Sequence, residues 1–154
     1  MKPVIRSKTL INTTVICLYL ISASCFAVDE INTGFFSSTA IKGYDTVAYF
    51  TQDKAIKGNK KYQFEWKGAK WYFNSQKNLE LFISSPDKYA PQYGGWCAYA
   101  VSQNTTASID PDLFTVVNHK LYLNYNRQVN KKWLDHQAQY IKDADQYWPD
   151  VFTK

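Results

Sequence analysis

Three cysteines and two histidines carry most of the side-chain chemistry open to this 154-residue chain. Cys97 lies in Tyr93-Gly94-Gly95-Trp96-Cys97-Ala98-Tyr99, behind two glycines and among aromatic rings. A thiolate there could hold a soft metal ion or act as a redox nucleophile, if a cation, a helix N-terminus or a metal lowers its pKa. Gly94-Gly95 would let the backbone turn tightly and bring a ligand close. The competing reading is a small buried hydrophobe, a frequent setting for free cysteine. His119 is the residue that could join Cys97 in a metal site, although two ligands alone make a weak one. His136, beside Asp135, reads as facing water. Tyr44, Asp45, Tyr93 and Tyr99 could line a shallow polar-aromatic pocket with Cys97, or could simply pack in the core. Cys-x-x-Cys, Gly-x-Ser-x-Gly, a phosphate loop and His-Glu-x-x-His are all absent from the sequence, and no catalytic residue stands out among its 13 carboxylates. The reading leans away from an enzyme.

What surrounds Cys97 depends on how much of the chain stays with it. Lys2, Arg6 and Lys8 precede an apolar run, Thr13 to Ala23, and Cys25-Phe26-Ala27 has small residues where a signal peptidase reads. The run is too short to span a bilayer comfortably. Residues 1–27 are therefore expected to be a signal peptide, cut after Ala27, that delivers a periplasmic or secreted protein with no stable membrane insertion. An uncleaved anchor or a lipidated Cys25 are the alternatives. Cleavage would remove Cys17 and Cys25, leaving Cys97 alone in a compartment where thiols usually pair. That points to a partner chain, a ligand or a buried thiol. Cleavage would also remove three of the 18 basic residues and none of the 13 acidic ones, taking the net charge from +5 to +2. With no Lys/Arg stripe, nothing favours nucleic acid.

Residues 28–39 read as an irregular arm and 40–150 as one α+β domain. Val47 to Phe50 is a short apolar segment, and Thr51 to Lys61 reads as a surface loop. Tyr62-Gln63-Phe64-Glu65-Trp66 alternates as a half-buried strand does, and Lys70-Trp71-Tyr72-Phe73 returns as its hairpin partner. Ser75 caps a helix with Leu79, Phe82 and Ile83 on one face. Ser85-Pro86 starts a further helical turn. Leu113–Val117 and Lys120–Tyr125 form a second hairpin around Asn118-His119, and Arg127 to Trp148 reads as one helix, with Pro149 after it. The two hairpin–helix units align at an offset of 50, Phe64 on Phe114 and Tyr72 on Tyr122, and are expected to share one core, since an isolated hairpin is marginal.

Gly43-Tyr44-Asp45-Thr46-Val47-Ala48-Tyr49-Phe50, Lys67 to Phe73, Phe82 to Gln92, Tyr93 to Ala100 and Lys120 to Tyr125 together resemble the exported, stand-alone branch of the YHS-domain family, which includes proteins described as selenoproteins. The resemblance implies a small YHS-like α+β fold of two hairpin–helix units and association with heavy metals, copper among them. Two positions that carry sulfur or imidazole ligands in the metal-binding version are Asn74 and Asn78 here, and asparagine is a poor ligand for soft ions. Thr46 replaces a proline often found there. Three functions stay open: a non-catalytic module binding copper through Cys97, with His119 as a second ligand; a single-thiol redox protein; or a partner-binding protein with an inert thiol.

Overall fold

The computed structural model describes residues 30–34 and 36–152. The expected signal peptide, 1–27, lies outside the described residues. The chain opens with the arm and a tight turn, Ala40–Gly43, and continues into α1 (Thr46–Gln52), β1 (Asn59–Trp66), β2 (Ala69–Phe73), α2 (Gln76–Ser84) and α3 (Pro86–Tyr89). A second tight turn, Gln92–Gly95, leads to α4 (Ala98–Ser102), β3 (Asp110–Val117), β4 (Lys120–Asn124), α5 (Arg127–Asp135) and α6 (Gln137–Tyr147). The architecture is α+β, with two separate antiparallel hairpins, β1-β2 and β3-β4.

Each hairpin closes on two residues with positive φ, Lys67-Gly68 and Asn118-His119, the backbone that matches strand twist. Each also carries a register shift near its open end, between Asn59 and Gln63 and between Asp110 and Phe114. That irregularity accommodates Pro111, which cannot donate to a regular ladder. Asn59 to Lys61, expected as loop, therefore starts β1. Val47 to Phe50 is helical rather than merely apolar, because Asp45 caps α1.

The two halves repeat further than the hairpins. The tight turn, short helix, hairpin and following helix of the first half recur in the second. The strands and the helix after each hairpin recur 51 residues on, Asn59–Trp66 answering to Asp110–Val117 and Gln76–Ser84 to Arg127–Asp135. The pairing is one residue longer than aromatic matching suggests. Local packing follows it: Trp71 stacks on Phe82 at 5.2 Å, and their counterparts Tyr122 and Trp133 meet at 5.3 Å.

β4 is the strand that joins the halves. Leu121 and Leu123 enter the main core with Val47, Tyr49, Trp71, Phe73 and Phe82, while Tyr122 points the other way, into a smaller cluster with Tyr93, Val101, Trp133 and Ala144. Tyr49 Oη donates to the Pro111 carbonyl at 3.0 Å, tying α1 to β3. The long C-terminal helix breaks at His136 (φ −139°, ψ 39°), which leaves Leu134 49% exposed and lets α6 lie against α4. The break has no glycine or proline to announce it.

Candidate functional site

Cys97 is the N-cap of α4, and it is 1% exposed. Its backbone is held on both sides: its N–H donates to the Ala107 carbonyl at 3.1 Å, and the residue bridges Leu123 of β4. The thiol donates to Asn124 Oδ1 at 3.6 Å, and the same oxygen accepts from the Tyr99 N–H at 3.2 Å. Asn124 Nδ2 in turn donates to Asn130 Oδ1 at 3.1 Å. Asn124, fully buried, thus takes the place of a side-chain cap for α4 and fixes the sulfur beside it. Burial pushes the Cys97 thiol above its ordinary pKa; the nearby backbone N–H groups of Ala100, Tyr125 and Tyr99 pull the other way without reversing it.

The corresponding position in the first half is Asp45, the N-cap of α1, which is also fully buried. Its N–H donates to the Ile56 carbonyl as that of Cys97 does to Ala107. Its Oδ1 accepts from the Val47 and Ala48 N–H groups at 2.9 and 3.2 Å. Its Oδ2 accepts from the Asn74 N–H and from Asn78 Nδ2, both at 2.8 Å. Asn78 Nδ2 also reaches Asn74 Oδ1 at 3.3 Å. Thr46 donates to the Tyr89 carbonyl, so the residue standing in for proline fastens α1 to the end of α3. Asp45 acts here as a hub joining α1, the end of β2 and α2.

The structure does not bring Cys97 and His119 together. His119 is exposed at the tip of the second hairpin, four residues along β4 from the strand position that Cys97 bridges, or ~13 Å at the usual strand rise. The polar-aromatic pocket expected around the sulfur does not form either. Asp45 is committed to its own half, and Tyr44 lies under the Lys57 ammonium. Tyr93 Oη donates to Asp145 Oδ1 at 2.8 Å, and the Tyr99 ring packs edge-on to Tyr140 at 5.1 Å.

Sequence reasoning missed Asp45 as an organising residue. The available signal was a helix-capping aspartate directly before Thr46-Val47. It also missed a lysine-lined cleft beside the first tight turn, where Lys42 of the turn meets Lys57 and Lys60 from the stretch entering β1.

Residues 47–93, from α1 into the second tight turn, match the YHS domain family. This stretch is a YHS domain. No curated protein and no solved structure matches the chain. The YHS family is often linked to metal association, copper in particular. The YHS domain here does not fit that group in the expected place. The Asn78 side chain donates to Asp45 and to the Asn74 side chain, and these are amide and carboxylate groups rather than the thiolates or imidazoles that soft ions select. Among the described residues, no group of three or more His, Cys, Asp or Glu side chains is placed to hold a metal ion. No helix among them is long and apolar enough to cross a membrane. Cys97 and His119 both lie beyond the matched stretch.

Proposed function

We propose that the protein is an exported, non-catalytic binding module in which a YHS domain and its structural counterpart share one core, and Cys97 is a structural thiol. Export rests on the basic, apolar and small-residue pattern of residues 1–27. The observation that carries the rest is the sulfur's setting: 1% exposed, its proton engaged by Asn124, its pKa raised by burial. A reactive thiol needs the opposite on each count.

One feature supports a second reading, a redox or copper-binding thiol. Three backbone N–H groups lie near the sulfur, those of Tyr99 and Ala100 from α4 and that of Tyr125 from the end of β4, and such groups stabilise a thiolate once it forms. Thiol labelling of the folded protein against pH, with and without Cu(I), separates the readings. The structural thiol labels slowly at every pH up to ~8.5, the unperturbed value, and Cu(I) has no effect. Fast labelling with a midpoint well below that value would establish the redox reading. One equivalent of Cu(I), bound by the protein and lost in Cys97→Ala, would establish the copper reading.

A further inference from the structure

We propose that the cleft between the Ala40–Gly43 turn and the N-terminal arm, walled by Lys42, Lys57 and Lys60, binds a small multivalent oxyanion of the phosphate or polycarboxylate class. The proposal rests on the binding-module reading and gives that module a ligand class.

The cleft has a volume of about 440 Å³, and among the described residues no aspartate or glutamate lines it. That volume lies in the range of small-molecule sites. Between the lysines stand the hydroxyl groups of Ser37, Thr39 and Tyr72, of which Ser37 and Tyr72 have a proton to donate while Thr39 gives its own to Tyr72. Ammonium groups supply the charge and hydroxyls the directional bonds that an oxyanion accepts.

Two of the walls are fixed before any ligand arrives. Lys57 Nζ donates to the Lys42 carbonyl and sits 4.7 Å over the Tyr44 ring, which places this ammonium beside the turn. Thr39 Oγ1 donates to Tyr72 Oη at 3.4 Å, pairing two of the hydroxyls. Gly43 keeps the floor narrow: at φ +76°, a Cβ there would come within 3.2 Å of Tyr72 Cδ2 and 3.7 Å of Lys57 Nζ.

The internal repeat provides an independent comparison. In the second half the corresponding turn is covered by the chain itself. The Asn32 N–H donates to the Gly94 carbonyl at 2.9 Å, and Asn32 Nδ2 donates to the Gly95 carbonyl at 3.0 Å. In the first half the carbonyl equivalent to that of Gly94 belongs to Lys42, and it is met by an ammonium at the edge of an open cleft. The Gly43 carbonyl, equivalent to that of Gly95, accepts from the Gly58 N–H at 2.9 Å, so the turns differ at one carbonyl, covered by the arm in the second half and by a lysine in the first. Three lysines lining one cleft favour a ligand with at least two negative charges, because exposed single pairs are screened at physiological salt.

The test is an amide-resolved NMR titration of the folded chain with orthophosphate, pyrophosphate and citrate at constant ionic strength, with chloride as the monovalent control. Saturable shifts are expected at Thr39, Gly43 and Tyr72, at millimolar Kd or tighter, and chloride should not reproduce them. Lys42→Asn combined with Lys60→Gln should raise Kd at least tenfold without moving Tm, asparagine being tolerated at the positive φ of residue 42. Lys60→Glu alone, on an exposed strand position, should do the same if the double variant folds poorly, and Lys131→Gln, on α5, should leave Kd unchanged. Pyrophosphate binding tighter than citrate identifies a phosphate ligand and the reverse a carboxylate; either order supports the proposal. Non-saturating shifts, shifts only outside the cleft, or equal affinity in wild type and cleft variants overturn it. Fast Cys97 labelling would overturn the structural-thiol reading and leave this result untouched.

Discussion

Cys97 occupies in the second half the position that Asp45 occupies in the first. Each caps a short helix after a tight turn, and each donates its N–H to the carbonyl ahead of its hairpin. The difference lies in how the surrounding donors are met. The Asp45 carboxylate accepts four N–H groups itself. The thiol cannot accept strongly, so the Tyr99 N–H turns to Asn124, which also receives the thiol proton. One backbone cavity is thus filled by an acceptor in one half and by a donor with a helper in the other.

Asp45→Asn replaces an acceptor oxygen by an NH2 group facing either the α1 N–H groups or the Asn74 and Asn78 donors. A loss of about 2–4 kcal/mol is expected, since a buried donor left unmet costs ~1–3 kcal/mol and bonds to a charged acceptor are the stronger kind. Combining it with Asn78→Ala should cost less than the two single changes added, by about 1 kcal/mol, because the two side chains share a bond. Urea unfolding of the four proteins measures the coupling. Additive losses would mean that Asp45 and Asn78 act independently.

The arm makes a second prediction. At Gly94, φ +58°, an added Cβ would lie 1.7 Å from the Glu30 carbonyl oxygen, whereas at Gly68, φ +72°, nothing lies within 4 Å. Gly68→Ala should therefore cost only the backbone term, about 1 kcal/mol. Gly94→Ala should cost more and release residues 30–32. Limited proteolysis should then cut the arm in Gly94→Ala and spare it in Gly68→Ala. Equal protection in the two variants would show that the Asn32 bonds do not hold the arm.

Why some of this was legible and some was not follows from the range of the interactions. The hairpins could be read because Tyr62, Phe64 and Trp66 alternate with polar residues on one face. α1 was obscured because Thr46-Val47-Ala48-Tyr49-Phe50 carries the β-branched and aromatic residues typical of strands; its helix depends on a cap and on burial. The unit repeat was visible, but its register was off by one, since Trp71, Tyr72 and Phe73 put aromatic residues on both faces of β2. Asn74 and Asn78 could be recognised as poor soft-metal ligands from their chemistry alone. Their shared partner Asp45 lies 29 and 33 residues away, beyond any local pattern. The cleft was hidden for the same reason: Lys60, read with Lys61 as part of a solvated face, meets Lys42 only through the fold.

Alkaline pH should unfold the protein in two stages. Burial is the main cause in every case: it raises the Cys97 thiol, pushes Tyr122 up to about 12, and pushes Tyr49 and Tyr93 higher still, the last helped by its bond to Asp145. All four are neutral in the fold and ionise more easily in the unfolded chain. Their contribution is complete below the unfolded values, ~8.5 for cysteine and ~10 for tyrosine, and is lost as pH rises through the folded ones, by up to ~1.4 kcal/mol per pH unit for each group. The urea midpoint should therefore begin to fall near pH 8.5 and fall more steeply above ~10. Cys97→Ser keeps a small polar group beside Asn124 and has no thiol to ionise, so it should remove the first stage and leave the second. If wild type and Cys97→Ser fall in parallel from pH 8.5 to 10, the thiol ionises alike in both states. The N–H groups of Ala100, Tyr125 and Tyr99 would then offset burial in full, and the reactive-thiol reading would regain its footing.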